Sequence, residues 1–308
     1  MIDVVIVNWN AGRFLKACVD SLVQHGPKII NSIVVVDNGS TDSSLISIED
    51  NCEVTVVRSG SNLGFGRACN LGAHQCNSKF LLFLNPDAAL HPNTLHEALS
   101  YMQNAANDGV GICGVQLLDE SGRVARTCAR FPSVRLFAAQ ALGLSKFRML
   151  SGWSHHMSEW DHASTRDVDH VIGAFYLIRK SLFESLGGFD ERFFVYLEDL
   201  DLSLRARQAG WRSVYLATAT AFHAGGGTSK QVKAARLFYS LRSRLLYGFK
   251  HFSRLRAWAL VGVTLLIEPL SRLAFSALRG GSEDVLNTLR AYGMLWRALP
   301  SILRGRPR

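Results

Sequence analysis

The residues of this chain best suited to chemistry lie at the ends of short apolar runs. Asp87 follows the run 80–84 in Asn85-Pro86-Asp87 and precedes a helical pattern. A carboxylate there can hold a divalent cation that bridges a diphosphate, because hard Mg²⁺ or Mn²⁺ takes oxygen ligands and leaves positions open for phosphate oxygens. An Asx turn with Pro86 accounts for the same residues equally well, and Asn85 could ligate only weakly through its carbonyl. Asp37 ends the run 32–36 and opens Asn38-Gly39-Ser40-Thr41-Asp42. A carboxylate in that place can accept hydrogen bonds from a nucleobase or ribose, or it can cap the next helix. Glu198 and Asp199 stand about 100° apart at a helix start, and Asp201 is about 200° from Asp199, so Asp199 and Asp201 cannot both face one reacting atom. One of the first two suits a general base and the other suits orienting it or binding acceptor hydroxyls. Acids in a first turn also occur for the helix dipole alone.

Two further groups are weaker. Asn62-Leu63-Gly64-Phe65-Gly66-Arg67 resembles a phosphate-cradling loop without the GxGxxG spacing, and a plain turn into a helix with a solvated Arg67 explains it too. His223 precedes Gly225-Gly226-Gly227-Thr228-Ser229. Its imidazole can complete a metal site, and glycine amides can approach a diphosphate. The alternative is a structural histidine beside a glycine hinge.

These residues need a frame that gathers strand ends. Residues 4–7, 32–36, 54–57 and 80–84 read as strands buried on both faces, being continuous runs of Val, Ile, Leu and Phe. Phe14, Leu15, Cys18, Val19 and Leu22 recur at helical spacing, and helices are expected after Asn38 and after Gly66 as well. The order βαβαβαβ implies a parallel sheet, which binds ligands at the carboxyl ends of its strands. Beyond it, 110–117 and 171–178 read as strands, 198–208 as a helix, and 131–167 as a loop-rich region near an acceptor.

Composition narrows the class. The chain has 308 residues, 48% hydrophobic, and a formal charge of +9. Residues 1–229 hold 19 basic and 22 acidic side chains, −3, and the rest hold 15 and 3, +12. The basicity therefore belongs to residues 230–308. No CxxC pair links the six cysteines, which read as reduced thiols of a cytosolic protein, and Met1-Ile2-Asp3 opens no secretory signal. Residues 257–267 are almost wholly apolar, and 270–278 follow after Glu268-Pro269, broken by Arg272. A spanning helix needs about 20 mostly apolar residues, so monotopic or re-entrant helices are expected. Flanking arginines (254, 256, 279, 290, 297, 304, 306 and 308) would each contribute about 1 kcal/mol on an anionic surface. The alternative is an amphipathic bundle packed on the domain or on a second copy.

Taken in order, Val4-Val5-Ile6-Val7-Asn8-Trp9-Asn10, Val36-Asp37-Asn38-Gly39-Ser40-Thr41-Asp42, Asn62-Leu63-Gly64-Phe65-Gly66 with Asn70 and Gly72, Phe83-Leu84-Asn85-Pro86-Asp87, and Gly187-Gly188-Phe189-Asp190-Glu191 leading to Glu198-Asp199-Leu200-Asp201 resemble the inverting family 2 nucleotide-sugar glycosyltransferases of GT-A fold. The Asn8-Trp9-Asn10, Leu84-Asn85-Pro86-Asp87 and Tyr196-to-Leu202 forms are most similar to a rhamnosyltransferase-like branch acting on bacterial surface polysaccharides. The resemblance implies an α/β mixed GT-A sheet over residues 1–229 and a basic amphipathic membrane-associating region over 230–308. It implies that Asn8, Asn10, Asp37, Asn38, Asn62, Gly64, Arg67 and Asn85 serve the donor nucleotide. It gives Mg²⁺ or Mn²⁺ to Asp87 with His223, and the base to Asp199 beside Glu198. Asn85 replaces the first acid of the usual DxD, so metal binding rests largely on Asp87. A dTDP-rhamnose donor, a polyprenyl-diphosphate-linked saccharide acceptor, an anionic membrane on the cytoplasmic face of a bacterial inner membrane, and a homodimer are the expected partners and place. Three other readings compete: a catalytically weak membrane scaffold, a nucleotide-dependent oxidoreductase without the glycine fingerprint after its first strand, and a nucleic-acid binder. The last is disfavoured because the basic residues are interleaved with apolar helix.

Overall fold

The computed structural model describes residues 1–144, 155–225, 233–278 and 282–304. The chain forms two compact units. The first comprises Met1–Arg130, Trp160–Asp190 and Glu198–Thr228, and the second Phe131–Glu159, Glu191–Leu197 and Ser229–Arg308. Gly226 to Lys230, with the expected hinge and the boundary at 229/230, and Arg279, Arg306 and Arg308 lie outside the described residues.

The first unit is built on a nine-stranded mixed sheet. Its strands are β1 (Ile2–Asn8), β2 (Ile30–Asp37), β3 (Val54–Arg58), β4 (Phe80–Leu84), β5 (Ala88–Leu90), β6 (Val110–Leu118), β7 (Arg166–Val168), β8 (Phe175–Arg179) and β9 (Arg212–His223). They run in the order β3-β2-β1-β4-β8-β6-β9-β5, with β7 on β9. The four strands read from sequence are parallel neighbours, and β8 then enters antiparallel between β4 and β6. Every residue of β1 and β4 is buried, which is why 4–7 and 80–84 are uninterrupted Val, Ile, Leu and Phe, while the buried Asp3 of β1 accepts from the N–H groups of Asn77 and Ser78. β3 departs from expectation: it is an edge strand and only half-buried.

Helix α1 (Arg13–His25) buries Leu15, Cys18, Val19 and Leu22 on one stripe, as its spacing requires, and α2 (Phe65–Ala73) follows Gly64. No α-helix follows Asn38. The chain makes only a 3₁₀ turn at Leu45–Ser47, because side chains there capture the backbone amides a helix would need: Asn10 Oδ1 accepts from the N–H of Thr41 (2.7 Å) and Asp42 (3.2 Å), and Asp42 Oδ1 from that of Ser44 (3.2 Å). The helix expected after Asp87 is α3 (Thr94–Gln103), and three elements go beyond the sequence reading: α5 (Lys180–Ser185), β5 and β7. The strand expected over 171–178 begins only at Phe175. Helix α6 (Glu198–Gln208) buries Leu200 and Leu202, and its Asp201 is fully buried in an ion pair with Arg205 (2.8 Å). Five cysteines are buried, Cys52 is exposed, and all six are free thiols.

In the second unit, α4 (Val134–Ala141) lies inside the region expected to be loop, started by Ser133, whose hydroxyl accepts from the N–H of Leu136. Helix α7 (Lys233–His251) precedes a continuous helical run: α8 (Arg254–Gly262), a π segment (Val263–Ile267) and α9 (Glu268–Leu278); α10 (Ser282–Leu303) follows. Helical structure continues through Glu268-Pro269. The wider π turn relieves the contact between the proline ring and the preceding carbonyls, and Glu268, 1% exposed, pairs with Arg244 of α7 and Arg272.

Candidate active site

The ends of β1 and β2 are tied together by one amide. Asn8 is fully buried, and its Nδ2 donates to Asp37 Oδ1 (3.3 Å), Ser40 Oγ (3.0 Å) and Ser44 Oγ (2.9 Å). Asn10, in the left-handed region at φ 51°, organises the same loop through its Oδ1. Asp37 is thereby fixed with one oxygen engaged, and its Oδ2 accepts no hydrogen bond among the described residues. An oxygen held this way can accept from a ligand N–H or O–H.

Asn38 performs the corresponding task for the loop 62–67. Its Nδ2 donates to Asn62 Oδ1 (3.1 Å) and its Oδ1 accepts from the N–H of Leu63 (2.8 Å), while Asn62 Oδ1 also accepts from the N–H of Gly64 (3.0 Å). A side chain at Gly39, φ 77°, would meet the backbone of Ser61 and Asn62 at 2.9 Å, so the close approach requires glycine. Gly64, φ 86°, turns the chain into α2, whose first turn carries the exposed Arg67.

The third group forms between β4 and β5. Ala88 pairs with His223 across β5 and β9, which places His223 Nε2 3.3 Å from Asp87 Oδ1. Both side chains are nearly buried. Among the described residues no third His, Cys, Asp or Glu completes a cluster with them. A carboxylate and an imidazole brought together at a sheet edge fit a Mg²⁺ or Mn²⁺ ion that keeps most of its positions for diphosphate oxygens or water. The Asn85 side chain is half-exposed and makes no hydrogen bond among the described residues, while its backbone N–H donates to Ala174 O (3.0 Å).

That backbone bond leads to the acids of α6. Next to Ala174, the N–H of Gly173 donates to Asp199 Oδ2 (2.8 Å), and the N–H of Leu200 donates to Asp199 Oδ1 (2.8 Å). His170 Nε2 lies 3.5 Å from Asp199 Oδ2, and its Nδ1 is fixed against Ser203 Oγ (2.9 Å), which also meets Tyr176 Oη (2.9 Å). Burial alone would raise the Asp199 pKa, but His170 and the two amide donors outweigh it and hold the carboxyl below the usual carboxylate range. Glu198 shows the opposite. Burial first, and then the Asp199 charge, push its carboxyl well above that range, and its Oε2 is buried without a partner. The proton affinities of two adjacent carboxyls are thus driven apart, that of Asp199 down and that of Glu198 up. Just ahead of them Tyr196 and Leu197 both have positive φ, 69° and 67°, a strain that non-glycine residues adopt only where the surroundings impose it.

His170, Gly173 and Ser203 were not singled out from sequence. The usable signal was Gly173 inside an apolar run: a Cβ there would stand 3.0 Å from Asp199 Oδ2. Asn70 likewise clamps the backbone of Phe189, donating to its O and accepting from its N–H at 2.9 Å each, which anchors the Gly187-Gly188-Phe189 turn.

With this geometry in place, the comparisons are consistent. The profile of the family described as "Glycosyltransferase like family 2" matches residues 2–244. An N-acetylglucosaminyl-diphospho-decaprenol L-rhamnosyltransferase of Mycobacterium tuberculosis is 29% identical over 236 residues, covering 72% of this chain and 76% of the relative. Rhamnosyltransferase WbbL of Escherichia coli K12 is 26% identical over 257 residues, 80% of this chain and 92% of that one. Among solved structures, the mannosyltransferase PcManGT of Pyrobaculum calidifontis in complex with GDP-Man and Mn²⁺ superposes with a TM-score of 0.55 at 14% identity, covering 96% of this chain and 86% of that chain, a likeness of fold. The chain belongs to glycosyltransferase family 2: it is a GT-A glycosyltransferase of the rhamnosyltransferase-like kind.

Proposed function

We propose that this glycosyltransferase moves a sugar, with inversion, from a nucleoside diphosphate donor to a hydroxyl of a polyprenyl-diphosphate-linked saccharide in bacterial surface polysaccharide assembly, and that the donor is dTDP-rhamnose. The observation that carries the reaction type is the Glu198–Asp199 pair, in which Asp199 alone is prepared to accept a proton. The rhamnosyltransferase relatives support the sugar, and the decaprenol-linked substrate named for one of them supports the acceptor class.

In this mechanism Asp37 accepts hydrogen bonds from the nucleoside, with Asn8 and Asn10 holding it and its loop in place. Asn38 and Asn62 set the loop whose Gly64 and Arg67 border the donor phosphates, and Asn85 lines the same side. Asp87 and His223 would hold Mg²⁺ or Mn²⁺, which when bound supplies positive charge against the departing diphosphate. Asp199 takes the proton of the acceptor hydroxyl as its oxygen attacks the anomeric carbon from the face opposite the leaving group. Glu198, protonated, donates to the acceptor or orients Asp199. The basic region 230–308 brings this machinery to an anionic membrane on the cytoplasmic face, where such an acceptor resides.

Thermal-shift measurements with a panel of nucleoside diphosphate sugars, with and without Mn²⁺, test the donor and the metal. The largest stabilisation is expected for dTDP-rhamnose with Mn²⁺, and equal shifts across the panel would reject the donor. NMR of the product tests the stereochemistry, since retention would reject a single displacement.

A further inference from the structure

The helical run Arg254–Ser276 is long and apolar enough to cross a membrane by length and composition, and its outer face is apolar as well as its inner one. The inner face buries Ala257, Leu260, Val261 and Leu265, and holds Thr264, fully buried, and Glu268, 1% exposed and paired with Arg244 and Arg272. The outer face carries Leu255, Leu266 and Leu270, exposed by 82%, 66% and 69%, with Ile267 beside them. A surface helix in water turns a polar stripe outward, so a helix whose outer face is leucine and isoleucine over 266–270 points to a surrounding that is itself apolar.

The rest of the unit indicates what that surrounding is. On α10, Leu289, Trp296 and Leu303 recur every seven residues and are exposed, and Arg290, Arg297 and Arg304 recur beside them at the same spacing, also exposed. Arg254 and Arg256 are exposed at the start of the first helix. Apolar stripes edged by arginine match an anionic bilayer surface, with the rings and alkyl groups among acyl chains and the guanidinium groups at the headgroups. A second copy of this chain would oppose like charge to like charge along the same rows.

Crossing is opposed by what is attached to the inner face. Helix α7 approaches so closely that a Cβ on Gly248 would meet Leu260 Cδ2 at 2.7 Å, and Ser271 Oγ donates to Ala141 O at the end of α4. A spanning run would draw into hydrocarbon both α4 and α7 with its Arg242, Arg244 and Lys250.

We propose that the outer faces of the 254–276 run and of α10 dock on an anionic phospholipid bilayer, the run lying in the interfacial plane without crossing it. The proposal rests on the membrane assignment of the proposed function, and its test uses vesicles without donor or acceptor, so a wrong acceptor leaves the result unchanged and absent binding leaves the transfer reaction intact.

The experiment is flotation of the full chain with phosphatidylglycerol-containing and pure phosphatidylcholine vesicles, alongside carbonate extraction of the membranes in which it is expressed. Expected are salt-sensitive binding to the anionic vesicles and release by carbonate. Leu266→Gln with Leu270→Gln should lower the partition at least about tenfold at unchanged helicity and thermal midpoint. Arg290→Gln, Arg297→Gln and Arg304→Gln together should reduce anionic binding to the phosphatidylcholine level. Retention through carbonate, unaltered binding of both variants, or absence of vesicle binding with a dimer that the leucine variant dissociates would each overturn it.

Discussion

Two buried carboxylate sites, one in each unit, show how environment separates chemistry from architecture. Glu268 is placed between Arg244 and Arg272, so its charge is met twice over and it holds a helical run together. Asp199 has as its nearest acid another buried carboxyl, Glu198, and is stabilised by a histidine and two backbone amides. The first arrangement is an anchor between helices. The second stores unequal proton affinities a single residue apart, which is the condition for acid and base roles at one pH.

Substitutions can break this contrast at either end. Asp199→Asn should lower transfer by about 10²–10⁴-fold, the range for loss of a general base, with the donor-induced thermal shift preserved. Glu268→Gln should leave Arg244 buried and uncompensated and cost about 3 kcal/mol in denaturant unfolding of the helical unit, with little effect on chemistry in whatever remains folded. His170→Gln removes a partner that lowers the Asp199 pKa. In the proposed mechanism the ionised form is the active one, so the acid limb of the kcat/KM profile should move to higher pH, with a rate loss of about tenfold for each pKa unit near that limb. Gly173→Ala, whose Cβ would press on Asp199 Oδ2 at 3.0 Å, should reduce kcat several-fold without changing donor KM.

The sharpest form of the contrast is in pH-dependent stability. The folded Glu198 pKa is raised, so the folded protein holds that proton to higher pH than the unfolded chain does. The stabilisation is complete below the ordinary glutamate value and is lost as pH rises through the folded pKa. Glu198→Gln removes that loss, and its thermal midpoint should gain on the wild type as pH increases from 5 to 9.

What the sequence made legible was whatever one strand end displays. Asp37, Asp87 and the Glu198–Asp199 pair are each announced by an apolar run or a helix start. The approach of His223 to Asp87 depends on Ala88 pairing with β9, a long-range register that local pattern does not contain. Gly173 was absorbed into the strand expected over 171–178 because its neighbours are apolar, although its amide is spent on Asp199, and His170 stands just ahead of that run with no local pattern to mark it. The expected helix after Asn38 failed because short polar side chains outcompeted it for amides.

The central claim is that Asp199, and not Glu198, takes the acceptor proton. Transfer rates of Asp199→Asn and Glu198→Gln, measured side by side with donor binding, test it most directly. Loss of two to four orders of magnitude in Asp199→Asn, against a change of no more than about threefold in Glu198→Gln, is the expected result. The reverse ranking, with both variants folded and binding donor, would contradict it.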